Sequence, residues 1–241
     1  MVLPHRGRTC CDDSMTTHDV LGQTVTMPVQ VRGGTNATVM YDVPLEAAQA
    51  LAPSGFEVIE TEPGRAQFAL ALVDYQDNDL GSYLEIGTIF FVRPVGGGPD
   101  GNIITHLPVT EHFTCVAGNQ IWGFPKSVER IEVTNGESTS RWTLEMDGEL
   151  VLDITLPRGG TDEMPPMDLV SYTLIDGRPH RTPFTQGGSG TGMFFDTEVA
   201  LTLGSHTIAE DLASLGLPDA PVVLTTWTEQ MRATFGEPEP L

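Results

Sequence analysis

Lysine is almost missing from this sequence. Of 12 basic side chains in 241 residues, Lys126 is the one lysine, and the rest are arginine. Lysine is ordinarily among the commonest residues. Cysteine is scarce as well: Cys10, Cys11 and Cys115. An odd number, two of them adjacent, excludes a disulfide framework. No CxxC or HExxH arrangement occurs, and His106 and His112 read as strand or loop histidines rather than a metal pair. Neither a metal nor a cofactor is expected. Positive charge is short too. With 33 acidic residues against 12 basic, the net charge is −21, a surface that repels phosphate backbones and anionic membranes. Long apolar runs are lacking. The longest, Ile86 to Val92, falls far below the roughly 20 residues that a spanning helix needs. The opening MVLPHRGRTCCDDSM lacks the apolar run of a signal peptide, and Met15 offers an alternative start. The expectation is a soluble protein of the reducing cytoplasm, with no nucleic-acid or membrane partner.

What is present points to a turn-rich globular chain. Hydrophobic residues make up 39%, with 26 Gly and 18 Pro, more β than α. Residues 1–20 read as a flexible segment and 21–241 as one domain. Strands are predicted over 38–43, 56–60, 67–75, 83–92, 128–133, 139–146, 149–156 and 171–175, and the segments 102–107 and 112–116 lead into the stretch around Lys126. Residues 192–203 alternate, and 222–235 form a closing strand region. Asp147-Gly148 is a two-residue hairpin turn. Short helices are predicted after Pro44 and over 207–215. Residues 158–168 and the polar 180s are predicted loops, and Gly96-Gly-Gly98 is a hairpin connection rather than a phosphate loop. The fold class is mainly β (α+β): a curved or closed antiparallel sheet, cone- or barrel-like, with a few short peripheral helices.

The lone lysine sits in GNQIWGFPKS, Gly118 to Ser127. Two readings of it stand side by side. One is a surface lysine whose stem lies along Trp122. The other is an amine that arginine cannot replace, because arginine stays protonated and is not a nucleophile. Ile121, Trp122, Phe124 and Pro125 would strip its hydration, lowering its pKa and populating the neutral amine. Imine formation would then rise between roughly pH 5 and 8. Glu85 lies among Leu84, Ile86 and Ile89, where a carboxylate is costly unless paired or protonated. Its other reading is a strand carboxylate facing solvent.

GNQIWGFPKS resembles the active-site segment of the acetoacetate decarboxylase family, whose aromatic-Pro-Lys run carries a Schiff-base lysine. Gly81-Ser-Tyr-Leu-Glu85 is similar to the family segment bearing an active-site glutamate. Tyr172-Thr-Leu174 with Asp176-Gly177 is similar to a later strand and turn. The resemblance covers residues 39 to 235 in the expected order. It implies a cone-like β fold, a homo-oligomer, a small keto-acid substrate, and catalysis by Lys126 with Glu85 orienting substrate or carrying protons. Trp122, Phe124 and Tyr172 are candidate pocket walls, each equally a core residue. Gln120 is a candidate for substrate or backbone hydrogen bonding, and Arg32 for a carboxylate, though it also reads as a surface arginine. The pattern departs from the family at three places. Ser127 stands where a second lysine is common, Asn119-Gln120 where Arg-Glu is common, and Leu70 where a second glutamate is expected. The lysine supports two reactions: decarboxylation of a β-keto acid, or a pyruvate-dependent aldol condensation and dehydration. A non-catalytic binder of small acids is the third reading.

Overall fold

A computed structural model of the protein describes residues 15–241. A hairpin of β1 (Thr17–Val20) and β2 (Gln23–Thr26) leads into β3 (Val29–Pro44) and helix α1 (Leu45–Leu51). Next come β4 (Phe56–Val58), β5 (Glu60–Glu62), β6 (Arg65–Asn78), β7 (Tyr83–Pro94) and β8 (Gly101–Val109). Helix α2 (His112–Ala117) runs on into a π turn, Gly118–Trp122, before the three-residue β9 (Lys126–Val128). A meander follows, β10 (Arg130–Asn135), β11 (Thr139–Met146) and β12 (Glu149–Pro157). The rest is β13 (Asp162–Ile175), β14 (Arg178–Phe194), β15 (Ala200–Leu203), α3 (Thr207–Ser214), β16 (Val222–Phe235) and β17 (Glu239–Pro240).

Seven strands pair around a closed circuit: β3, β6, β7, β8, β13, β14, β16 and back to β3. Closure leaves the circuit without an unpaired edge. The predicted antiparallel barrel needs one correction. β8 and β13 run parallel, through Ser171↔Asn102 and Tyr172↔Ile103, so the barrel is mixed. A second sheet, β10-β11-β12-β15, packs outside the wall.

The strands alternate between two environments. Phe68, Leu70 and Leu72 on β6, and Ile86, Phe90 and Val92 on β7, join Trp142, Leu152 and Ile154 of the second sheet in the larger core. Ala71, Val73 and Tyr75 on β6, and Glu85, Gly87 and Ile89 on β7, face a cavity instead. That cavity touches all seven strands of the circuit, so it lies inside the barrel.

Two predicted loops are strands. Residues 162–168 begin β13 despite Pro165 and Pro166, because the ladder is interrupted between Met164 and Met167. Prolines fit there, where a bulge needs no amide donor. The polar 180s belong to β14. Its glycines permit close approach of neighbouring strands: a Cβ on Gly188 would lie 2.5 Å from Gln230 O. The predicted flexible segment 1–20 falls largely outside the described residues, and its last four residues are β1, paired with β2. Helix α2 was not expected. No helix among the described residues is long and apolar enough to cross a membrane.

Candidate active site

Lys126 enters the barrel from its mouth. β9 pairs parallel to the end of β8, with Leu107 opposite Lys126. The turn before it is fixed locally. Gly123 adopts φ 71°, and a Cβ there would meet Leu174 O at 2.8 Å, so glycine suits both the turn and the space. The Asn119 amide grips the lysine backbone from both sides, its Oδ1 accepting from Lys126 N at 2.9 Å and its Nδ2 donating to Lys126 O at 3.0 Å. The lysine stem crosses Gly118, where a Cβ would lie 2.6 Å from Lys126 Cδ.

The stem ends among buried polar groups. The Lys126 side chain is 5% exposed, and its Nζ lies 2.7 Å from Glu85 Oε2. The angle there is poor for a directed hydrogen bond, so charge attraction carries the contact and Oε2 keeps no aligned donor. Nζ also donates to Thr114 Oγ1 at 3.2 Å and Tyr83 OH at 3.4 Å, and sits 4.8 Å from the Tyr83 ring centroid. Tyr75 OH donates to Glu85 Oε1 at 3.2 Å, and the Tyr75 and Tyr83 rings stack at 4.5 Å. Burial pushes both phenols upward and Glu85 adds to this, while Lys126 works against it at Tyr83 without reversing the direction.

The charge state of Lys126 differs from the sequence expectation. Burial does lower its pKa, as predicted, but Glu85 and then Tyr83 raise it by more, and the balance pushes it up to about 12. The resting side chain is therefore an ammonium held by its carboxylate partner.

The cavity below this pair holds about 120 Å³, several times the space one water needs. Trp122 and Phe124 line it, with Val29, Val31, Ile104 and Phe235 among the other apolar walls. Three other candidates lie elsewhere. Tyr172 follows the inward Ser171 and so faces outward, packing on Phe56 and donating to Pro99 O at 2.7 Å. Arg32 follows the inward Val31 and pairs outside with Asp77 and Asp79, at 2.8 and 2.6 Å. Gln120 is exposed on the π turn and ties down the first hairpin by donating to Asp19 O at 2.8 Å. Leu70 also faces outward; the residue opposite Glu85 is Val73. Sequence reasoning missed Tyr75, Asn119 and Gly118. Counting back from the turn after Asn78 would have placed Tyr75 beside Tyr83 and Val73 beside Glu85.

The model of the family described as acetoacetate decarboxylase matches residues 15–239. No curated protein gives a significant match. Several solved structures are similar. An acetoacetate decarboxylase from Legionella pneumophila is 17% identical, with a TM-score of 0.65 over 89% of this chain and 87% of that one. The enduracididine biosynthesis enzyme MppR complexed with pyruvate is 16% identical, with a TM-score of 0.58 over 88% and 90%. An acetoacetate decarboxylase-like enzyme from Sphingomonas wittichii RW1 is 15% identical, with a TM-score of 0.58 over 95% and 100%. At such identities the structural likeness shows the fold alone.

Proposed function

The chain belongs to the acetoacetate decarboxylase family, and from that premise we propose that it is a Schiff-base lyase decarboxylating a small β-keto acid at Lys126. The observation that carries this reading is the buried contact of Lys126 Nζ with Glu85 Oε2 at 2.7 Å, at the head of a cavity sized for a small molecule.

An ammonium is no nucleophile, so the resting proton must move first. Glu85 is the acceptor at hand, and a ketone filling the cavity excludes water and lowers the cost of a neutral pair relative to a charged one. The free amine adds to the carbonyl carbon, and a proton passes from nitrogen to the new alkoxide. Glu85, now a carboxylic acid, protonates the departing hydroxyl; water leaves and the iminium forms. The bond to the carboxylate then breaks. Its electron pair moves toward the iminium nitrogen, carbon dioxide departs, and an enamine remains. Protonation of the enamine carbon and addition of water release the ketone and return the lysine.

The charges around the cavity favour decarboxylation over pyruvate chemistry. Among the described residues lining it, Lys126 is the one cation and Glu85 the one anion, and no arginine is present. A pyruvate-derived enamine keeps its carboxylate beside Glu85 after the iminium charge is spent, with no arginine among the described wall residues to pair it, which is costly. A β-keto acid sheds that charge as neutral carbon dioxide, so repulsion from Glu85 is relieved as the bond breaks.

Borohydride trapping with acetoacetate and, separately, pyruvate tests the reading by intact mass and peptide mapping. The expected result is a reduced adduct on Lys126, several-fold more with acetoacetate. Lys126→Arg should give no adduct at that position and lose at least about 1,000-fold in turnover, because the guanidinium keeps the charge without the nucleophile. A stronger pyruvate adduct would move the reading to aldol chemistry. Folded protein with no adduct from either acid would end it.

A further inference from the structure

At the end of the cavity away from Lys126, one rung of the barrel carries two polar side chains of the cavity wall, and a third, Thr182, is buried beside them. Asn102 on β8 is in register with Ser171 on β13, and Ser171 with Thr182 on β14. Neighbours on a rung point to the same face, and Asn102 and Ser171 line the cavity. Ser171 is 3% exposed and Thr182 0%. Asn102 Oδ1, Ser171 Oγ and Thr182 Oγ1 are all buried, and none has a hydrogen-bond partner among the described residues. Buried polar atoms are normally paired, so three orphans on one rung call for a partner.

Their distance from the lysine indicates what that partner is. Leu107, opposite Lys126, lies five residues along β8 from Asn102, roughly 16 Å of strand at about 3.3 Å per residue. Nζ itself meets Glu85, whose partner on β8 is Val109, seven residues from Asn102. Lys126 and Glu85 are the charged residues among the described cavity walls, and both belong to the other end.

We propose that the rung Asn102–Ser171–Thr182 is a specificity subsite for the far end of the substrate, and that this end is an uncharged hydroxyl or carboxamide. The orientation of the substrate rests on the Schiff-base reading, which puts the ketone at Lys126. A hydroxyl donates to Asn102 Oδ1 and accepts from Ser171 or Thr182, pairing the rung in both directions. An alkyl terminus leaves the three oxygens unpaired, and a carboxylate buries a charge with no counter-ion. The substrate class is thus a β-keto acid extended beyond acetoacetate by a chain with a neutral polar tip.

Linear methyl ketones of rising length, each with and without a terminal hydroxyl, test this without requiring turnover. Calorimetry gives their affinities for the wild type, Ser171→Ala and Thr182→Val. At one chain length the hydroxy ketone should bind the wild type at least tenfold more tightly than its alkyl match. That advantage should shrink below threefold in both variants, while alkyl affinity moves less than twofold. Equal affinities at every length in the wild type would overturn the proposal, as would an advantage that survives in both variants, since the rung would then be serving only water. If Ser171→Ala fails to fold, the isosteric Thr182→Val decides alone. Borohydride trapping of the same ketones separates the two readings. No adduct on Lys126, with a hydroxyl preference that the variants erase, would overturn the Schiff-base reading and leave the subsite standing.

Discussion

Strands β6 and β7 have one face that fills space and one that leaves it. Outward, Phe68, Leu70, Leu72, Ile86 and Phe90 interlock with Trp142 and Ile154 in the larger core. Inward, Ala71 stands opposite Gly87 and both line the cavity, with Leu107 close over Gly87. The same backbone ladder serves both. The β6–β7 ladder itself runs past the cavity without a register shift. Glu85, one rung along, inherits a rigid mount from strands whose stability is supplied by the opposite face.

That contrast is broken most strongly by substituting adjacent residues. Leu70→Ala should cost about 2–5 kcal/mol in chemical denaturation, the usual range for emptying a packed core position. Ala71→Leu should change stability by less than about 1.5 kcal/mol, because its side chain enters the cavity, yet weaken ketone binding at least tenfold. Equal destabilisation by the two would mean that the inner face is packed like the outer.

The next largest effect concerns the charges. In the wild type, acylation of Lys126 should rise only as pH passes above the ordinary 10.5 toward about 12, since Glu85 favours the ammonium. Glu85→Gln removes the largest raising influence and leaves burial, which lowers the pKa, against Tyr83, which raises it, so the acylation midpoint should fall below that of the wild type. Turnover should fall about 100-fold for want of the proton carrier. Peptide mapping after acylation at stepped pH reads the midpoint. An unchanged midpoint would show that the carboxylate does not set the lysine's charge.

The smallest effect sharpens the comparison. Gly118 has φ −60°, open to any residue, so Gly118→Ala suits its backbone. Its methyl group would instead meet the lysine stem, 2.6 Å from Cδ. Stability should stay within about 1 kcal/mol of wild type, while borohydride adduct yield drops several-fold. A full yield would mean that the stem has another path to Glu85.

Much of this was legible in the residues. Lys126, Glu85, Trp122 and Phe124 meet at one cavity because the signals behind them were local: a lone lysine after aromatic-Pro, and a carboxylate inside an apolar strand. Arg32 and Tyr172 follow their surface and core readings rather than the cavity-wall ones, each standing next to the residue that does face inward, because strand phase was not legible. Of the two readings of Gln120, substrate or backbone, the structure has the backbone bond, since a polar side chain on a turn finds a nearby carbonyl. β13 and β14 were hidden by composition. Paired prolines and repeated glycines read as loop unless the partner strand that tolerates them is known. The barrel's parallel junction joins residues almost seventy positions apart, a pairing that no local pattern encodes.

An alternating strand marks its inside only by phase. Were β7 to slip by one residue against its neighbours, Glu85 would turn out and Leu84 and Ile86 would turn in, with nearly the same number of backbone hydrogen bonds. The molecule needs a reading frame, and β3 supplies one. Its ladder with β6 shifts register at Gly33 and Gly34, and Gly34 is paired with Tyr75, the donor to Glu85. A Cβ on Gly34 would come within 2.7 Å of Asp74 O, so no larger residue fits that junction without moving it. A glycine that lines no part of the cavity thereby fixes the register of the strand that carries Tyr75.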